Sequence, residues 1–228
     1  SLAEYSRTIE AGLQIALHNR PESIGPEDTS ARRTTMIVFG SDQGMCGPFN
    51  EQVTTFALEQ LDTLGSSGSS TAVLVVGARA AGRLEDAGCT LVRRLPMPSS
   101  IAGINPAVHE LLLAVEELRF NGGIDRLLVV HHRMEDLGGS RLQALQLLPV
   151  DRVWLDRLAA RDWKSRSLPT FSMKWRDLFS SLIRQHLFVA LYRAFAESLA
   201  SENTSRLASM QAAERNIQGH LSQLQLDY

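Results

Sequence analysis

The spacing of apolar residues changes twice along the chain and divides it into three parts. In the first part the apolar positions recur every three or four residues, which is typical of an amphipathic helix: Leu2, Tyr5, Ile9, Leu13 and Ala16. Pro21 should end this helix, because proline lacks an amide hydrogen and clashes with the preceding turn. Turn-forming and charged residues then follow without apolar periodicity. We therefore predict an N-terminal helix at 1–20 and a linker at 21–33.

Short apolar runs alternate with segments of helical periodicity between 34 and 168. The runs are Met36–Phe39, Ala72–Val76 and Leu127–Val130, and most of their residues are β-branched or aliphatic. Such continuous runs are typical of parallel strands that are covered on both faces. In the helix before the third run, Asn105 is expected to be the N-cap and Asn121–Gly123 to end the helix. The pattern predicts an α/β domain with an open, mostly parallel, Rossmann-like sheet.

The third part, 169–228, has the pattern of one long helix. Neither glycine nor proline occurs from Ser172 to Gln218, and helix-forming residues continue to Leu226. At about 1.5 Å per residue such a helix is roughly 80 Å long, which exceeds the needs of a globular domain. It must project from the domain or wrap around something.

Two stripes run along this helix. One is apolar, is interrupted by Glu202 and Arg206, and contains Phe188, Leu191, Phe195, Leu199, Met210, Ala213, Ile217, Leu221 and Leu224. Ordinary core packing remains an alternative for its part up to Leu199. The other stripe has only small residues: Ala190, Ala194, Ser198, Ser201, Ser205, Ala208 and Ala212. Small residues let a second helix approach closely, so this stripe favours a coiled-coil partner.

Composition narrows the class of protein. The chain has 228 residues, 44% of them hydrophobic, and a formal net charge of -2 from 23 basic and 25 acidic residues. This balance gives no reason to expect a nucleic acid or an anionic membrane as partner. No apolar run reaches the roughly 20 residues that cross a bilayer, so we expect no direct membrane insertion. Cys46 and Cys89 are expected to be free thiols.

The segment Gly40–Asn50 is the main candidate for chemistry, because it links a strand to a helix and such a junction can bind an anion. Its glycines, however, stand four and three residues apart, and a Lys-Ser/Thr pair is absent, so it matches neither the dinucleotide nor the P-loop motif. A nucleotide- or anion-binding domain, or an enzyme using the Cys46 thiol, is the alternative function. We interpret His131–His132 as a polar sheet edge and Glu135–Asp136 as a solvated connection.

Two segments resemble the γ subunit of rotary ATP synthases. The loop matches at Ser41–Asp42, Gly44, Cys46–Gly47 and Phe49–Asn50, and the long helix matches at Tyr192–Ala194, Glu197–Ser198, Ala200–Glu202, Arg206, Met210, Ala213 and Asn216. Gln43 stands where the family usually has arginine and Pro48 where it usually has glycine, and Gln211, Ala212, Arg215 and Ile217 also depart from its pattern. The chain looks truncated at both ends against the family.

The resemblance implies an α/β domain clasped by N- and C-terminal helices that form an antiparallel coiled coil. It implies a central-stalk rotor subunit that couples ion translocation to ATP synthesis or hydrolysis in an α3β3 ring, with α, β, ε and the membrane c-ring as partners. It implies no catalytic residue, cofactor or metal of its own, and a peripheral place on the cytoplasmic face of the bacterial inner membrane or the equivalent organelle compartment. The subunit-interface residues it implies are Ser41, Asp42, Gln43, Gly44, Cys46, Gly47, Phe49, Asn50, Tyr192, Arg193, Glu197, Ser198, Ser201, Glu202, Arg206, Met210, Ala213 and Asn216.

Overall fold

The computed structural model describes residues 2–19, 33–65, 70–135, 139–163 and 170–226. The linker predicted at 21–33 therefore lies outside the described residues except for its last position. The helices are α1 (Leu2–His18), α2 (Phe49–Gly65), α3 (Ala78–Asp86), α4 (Ile104–Gly122), α5 (Arg152–Ala159) and α6 (Trp175–Leu226), and a short 3-10 helix (Ile101–Gly103) precedes α4. The strands are β1 (Arg33–Phe39), β2 (Ser70–Val76), β3 (Leu91–Leu95), β4 (Arg126–Met134) and β5 (Ser140–Leu148).

The five strands form one sheet in the order β3-β2-β1-β4-β5. β1 pairs in parallel with β2 and β4, β2 pairs in parallel with β3, and β5 alone is antiparallel, to β4. The mostly parallel sheet is thus confirmed. The strands β3 and β5 were not foreseen, because both lie at an edge and are incompletely covered. Three of the five residues of β3 are exposed, so this strand has no continuous apolar run.

Helices cover both faces of the sheet. The helices α2 and α3 pack on one face, against residues such as Val38 and Val75. The helix α4 and the first half of α6 pack on the other face, against Phe39 and Val129. Consecutive β-strand residues point to opposite faces, which explains why runs such as 36–39 are apolar throughout. The single helix predicted for the third part of the chain is confirmed, since α6 has 52 residues.

The terminal helices α1 and α6 run antiparallel, as expected. The Tyr5 hydroxyl donates a hydrogen bond to Gln185, and the Trp175 indole donates one to the carbonyl of Ala16. Between these contacts Gly12 lies against Leu182. Increasing numbers in α1 therefore meet decreasing numbers in α6. α5, which was not foreseen, completes a small core between them through Leu158.

Two local expectations are wrong. Asn105 does not cap α4, because the helix already begins at Ile104 and Gly103 takes the N-cap position. Its end is as expected, at Gly122, with Gly123 at a φ of 76°. His131 and His132 do not form a polar sheet edge either. β5 pairs beside them, α6 and α2 cover them, and each is only 2% exposed.

The free energy of unfolding should depend on pH through His132. Burial lowers the pKa of this imidazole to about 4. In the unfolded chain it takes up a proton near pH 6.5, so stability should be full above that pH and fall by about 3 kcal/mol as the pH drops to about 4. We expect His132→Gln to flatten this profile in urea unfolding, and the same change at exposed His109 to leave it unaltered. Equal profiles for both variants would contradict the prediction.

The antiparallel contact between α1 and α6, which we call the clasp, should contribute strongly to stability. Leu13 of α1 is fully buried, so Leu13→Ala should lower the free energy of unfolding by about 2–5 kcal/mol through lost burial and the cavity left behind. Leu207→Ala in α6 makes the same chemical change at a residue that is 59% exposed, and should be nearly neutral. Denaturant titration measures both. A loss at position 207 equal to that at position 13 would contradict the assignment of Leu13 to the core.

Candidate functional site

The β1–α2 loop, residues 40–48, lies at the carboxyl end of the central strand. The strand order reverses between β1 and β4, because the chain first adds β2 and β3 on one side of β1 and then crosses to the other. In doubly wound folds such a point is where a ligand usually binds. Here α6 passes over it and contacts the loop at Cys46 and Gly47. The candidate site is therefore a junction between the loop and the long helix.

Asn50 organises the interior of the loop. Its amide oxygen accepts a hydrogen bond from the Ser41 backbone N–H at 2.9 Å, and its amide nitrogen donates to the Ser41 hydroxyl at 2.7 Å and to the Cys46 sulfur at 3.3 Å. The Ser41 hydroxyl in turn donates to the Gln43 carbonyl. All three side chains are buried. One asparagine thus joins the end of the strand, the turn and the start of α2.

Asp42 ties the loop to two further elements. One carboxylate oxygen accepts from the Ala78 N–H and the other from the Met97 N–H, both at 2.8 Å. Ala78 is the first residue of α3, whose free N–H groups and dipole favour a negative charge. Gly77, the N-cap residue, has no side chain that could fill this role. Asp42 therefore fixes the loop to α3 and to the segment after β3.

Two residues of the turn have positive φ. Gly47 has a φ of 55°, and a Cβ at this position would lie 2.8 Å from the Ser209 hydroxyl of α6. Met45 has a φ of 61°, which is uncommon for a residue with a side chain. Its side chain is 73% exposed. The loop thus brings its backbone directly onto α6 at Gly47 and points an apolar side chain into solvent at Met45.

The small-residue stripe of α6 contacts the chain's own α/β domain up to Ser205, which corrects the assignment of this part to a coiled-coil partner. The Ser205 hydroxyl donates a 2.6 Å hydrogen bond to the Cys46 carbonyl. Ser198 and Ser201 are buried, and Ala194 belongs to the core that α6 forms with the sheet and α4. α1 contacts α6 nearer its start, around residues 175–189. Small side chains are needed here because the α/β domain, rather than a second helix, comes close, and at Ser205 the neighbour is the loop backbone.

Two charged groups of α6 are held against the domain. Glu197 and His131 are 3.1 Å apart, and burial lowers the pKa of that histidine although the carboxylate opposes the shift. Glu202 is 5% exposed and pairs with Arg206 one turn later. Burial raises the pKa of Glu202, while Arg206 acts in the opposite direction. Of the two polar residues that interrupt the apolar stripe, Glu202 is therefore buried, and Arg206 pairs with it from within α6.

The residues implied by the resemblance fall into three groups. Seven are buried within the chain itself: Ser41, Cys46, Phe49, Asn50, Ser198, Ser201 and Glu202. Five are half-buried: Asp42, Gly44, Tyr192, Glu197 and Arg206. Six are exposed: Gln43, Gly47, Arg193, Met210, Ala213 and Asn216. The structure brings together the loop set and the set from 197 to 206, and it leaves Met210, Ala213 and Asn216 beyond this junction on the exposed part of α6.

Sequence reasoning missed Met45 and Ser209. Ser209 could have been found, because it follows Ser205 by four residues and so lies on the same face of the helix. Met45 carried no such signal, since a single methionine in a loop gives no spacing and its positive φ is visible only in the structure.

The geometry gives little support to chemistry at the loop. Cys46 is 2% exposed, and its sulfur accepts from Asn50 and lies close to Ser41. Two N–H groups at this edge of the sheet are already engaged, since Asn50 takes that of Ser41 and Asp42 takes that of Ala78. Both cysteines are free, as expected. Within the described ranges, histidine, cysteine and carboxylate side chains form no cluster suited to a metal ion.

Asp42 should be a determinant of stability. Asp42→Asn retains the shape of the side chain but replaces one acceptor oxygen with a donor NH2 that faces an N–H, so we expect the free energy of unfolding to fall by about 1–3 kcal/mol. Asp86→Asn, at the exposed end of α3, makes the same change where no backbone N–H depends on it. Thermal and denaturant unfolding compare the two. An unchanged stability of Asp42→Asn would show that the two hydrogen bonds contribute nothing.

Comparison with known proteins places this chain in a family. A family model described as ATP synthase matches residues 1–228. The ATP synthase γ chain of Cupriavidus pinatubonensis is 26% identical over 234 residues, covering 99% of this chain and 77% of the relative. The ATP synthase γ chain of Mannheimia succiniciproducens is also 26% identical, covering 98% of this chain and 77% of the relative.

Solved structures have the same fold. A chain from the central stalk and c-ring structure of the Tetrahymena thermophila mitochondrial ATP synthase gives a TM-score of 0.60 at 16% identity, covering 93% of this chain and 94% of that one. A chain from an OSCP, F1 and c-ring structure of the Euglena gracilis enzyme gives 0.56 at 15% identity, covering 96% and 80%. With the match of the family model along the whole sequence, the chain belongs to the γ-subunit family of ATP synthases.

Proposed function

We propose that this chain is the rotating shaft of its ATP synthase and has no catalytic chemistry of its own. The observation that carries the proposal is the helix α6, which packs on the α/β domain through its first part and leaves it near Ser209, well before its end at Leu226. A helix of this length needs a function beyond core packing. A shaft that is rooted in a folded domain can receive torque at one end and deliver it at the other.

The exposed end of α6 has the character of a surface that contacts other subunits. Several large apolar side chains there are about half exposed or more: Leu207, Met210, Ile217, Leu221 and Leu224. From position 210 to 226 the helix extends about 25 Å at 1.5 Å per residue. An exposed apolar stripe of this kind marks an interaction site. We assign it to the α and β subunits that surround the shaft.

The shaft would act by differential contact. A single helix presents different side chains on its different sides, so each surrounding subunit meets another surface as the shaft turns. A partner can be shifted between conformations only to the extent that the shaft contacts those conformations with different free energies. On this mechanism, rotation drives each catalytic subunit in turn through its binding and release states, and hydrolysis drives the rotation in reverse.

The implied interface residues divide between two roles. We propose direct subunit contact for the exposed residues Gln43, Arg193, Met210, Ala213 and Asn216, and we add Met45, which the rigid loop presents to solvent. For the buried residues we propose that they shape the loop and seat α6. The ε subunit and the c-ring would bind elsewhere on the α/β domain. The site therefore depends on both groups, but for different physical reasons.

The chain would lie at the membrane surface without entering it. None of the helices in the described part of the chain combines the length and apolarity that a bilayer crossing needs. We propose that the c-ring holds the chain at the cytoplasmic face of a bacterial inner membrane, or at the equivalent organelle surface.

A second candidate function, a nucleotide-binding or thiol-dependent enzyme, is not favoured, because several polar groups of the loop bond to one another or to α3.

The proposal is tested by assembling the full-length chain with its α and β subunits and measuring ATP hydrolysis. We expect a stable complex whose activity depends on the chain. Leu221→Asp should lower the activity about five-fold or more, because a charge replaces an apolar contact within the ring. Leu113→Asp on α4 makes the same change at a residue of similar exposure, 60% against 54%, away from the shaft, and should be neutral.

Two outcomes would contradict this function. One is failure of the folded chain to assemble with folded α and β subunits. The other is an assembled complex in which Leu221→Asp and Leu113→Asp have the same activity, because the exposed end of α6 would then have no special role.

A further inference from the structure

α6 changes from a core element to a free helix over about three turns. Up to Glu202 its inner side chains are buried, and from position 213 to 225 every residue is exposed. Between these two parts of the helix, Ser205 and Ser209 contact the domain. A sideways or twisting load on the free end passes into the domain around these residues, because every residue of the helix from 213 to 225 is exposed.

The contact at this point is close and specific. The Ser205 hydroxyl donates to the Cys46 carbonyl, and the Gly47 backbone lies against Ser209 with no room for a side chain. At 55° the φ of Gly47 also favours glycine. Ser209 uses its own hydroxyl to donate to the Ser205 carbonyl within the helix. The backbone of the loop thus contacts two serine side chains that lie one turn apart on α6.

The loop is braced on its other side. Asn50 holds Ser41 and Cys46 in place, and Asp42 bonds to the first N–H of α3 and to Met97 after β3. The loop itself continues directly from the central strand β1. A force on the loop at Gly47 is therefore shared by the ends of β1 and β3 and by the starts of α2 and α3.

We propose that Gly47, Ser205 and Ser209 form a loop–helix latch that passes torque between the shaft and the α/β domain. The three are positioning residues, and the proposal rests on the rotor function proposed above. Without the latch, the unsupported part of α6 begins about one to two turns earlier, near Glu202. A longer free helix bends and twists further under the same load, so part of each rotational step is lost before it reaches the catalytic subunits.

The test adds one methyl group and then removes the atom that it meets. Gly47→Ala places a Cβ against the Ser209 hydroxyl oxygen and should push α6 away from the loop. Ser209→Ala removes that oxygen, and the next nearest atom, on Ser205, is at an ordinary 3.7 Å. The double variant should therefore recover most of the loss, while the strain at φ remains. Gly82→Ala is the control, since a Cβ there meets nothing within 4 Å.

Two measurements report on the latch. In the isolated chain, amide hydrogen exchange over residues 205–215 should rise about five-fold in Gly47→Ala and return toward the parent value in the double variant. In the assembled enzyme reconstituted in vesicles, ions pumped per ATP hydrolysed should fall about two-fold in Gly47→Ala and recover in the double variant, because slippage uncouples the two processes while hydrolysis continues. Gly82→Ala should change neither.

A second pair of variants removes a hydroxyl instead. Ser205→Ala deletes the hydrogen bond to Cys46, whereas Thr204→Ala deletes one that stays within the helix, to Ala200. Ser205→Ala should lower the pumping ratio, and Ser205→Thr, which keeps the hydroxyl, should restore it.

Two outcomes in the assembled enzyme would contradict the latch proposal. One is a pumping ratio in Gly47→Ala equal to that in Gly82→Ala, and the other is a failure of Ser209→Ala to restore the ratio in Gly47→Ala. A parent chain that fails to assemble contradicts the rotor function instead.

Discussion

The packing of α6 on the sheet is the interaction on which the rest of the structure depends. Phe195 of α6 meets Phe39 at the end of the central strand, edge to face at 4.8 Å, and both side chains are fully buried. The same helix closes the core with α4 and, earlier along its length, the clasp with α1. One helix therefore serves as part of the core, as one arm of the clasp and as the shaft, so a change in how it sits alters all three.

Burying charged side chains on the inner face of a helix requires partners for them, because the interior solvates charge poorly. Glu197 pairs with His131 and Glu202 with Arg206, whereas the buried hydroxyls of Ser198 and Ser201 have no hydrogen-bond partner among the described residues. On the opposite face of the sheet His132 stacks on Phe49 at the start of α2. The two histidines thus point to opposite faces, and each contacts an element that borders the β1–α2 loop. Tight coupling between loop, sheet and helix follows from this arrangement.

Much of the fold could be predicted because burial leaves a regular trace in the sequence. The apolar runs of β1, β2 and β4, the uninterrupted helix α6 and the amphipathic α1 each repeat one spacing over many residues. The strands β3 and β5 left no such trace, since one or both of their faces meet solvent. The N-cap of α4 was misplaced because Asn105 suits a cap by type, while the preceding 3-10 turn shifts the helix start to Ile104.

The sequence by itself determined the class of fold, the length of the shaft and the segments that matter, because periodicity and residue type are local properties. It left open what each side chain of those segments contacts. Only the tertiary structure decided that Ser205 of the small-residue stripe bonds to the loop backbone, that Asp42 caps a helix 36 residues away, and that Met45 points outward. Contacts of this kind join residues distant in sequence, and their geometry exists only once the sheet has brought the strand ends together.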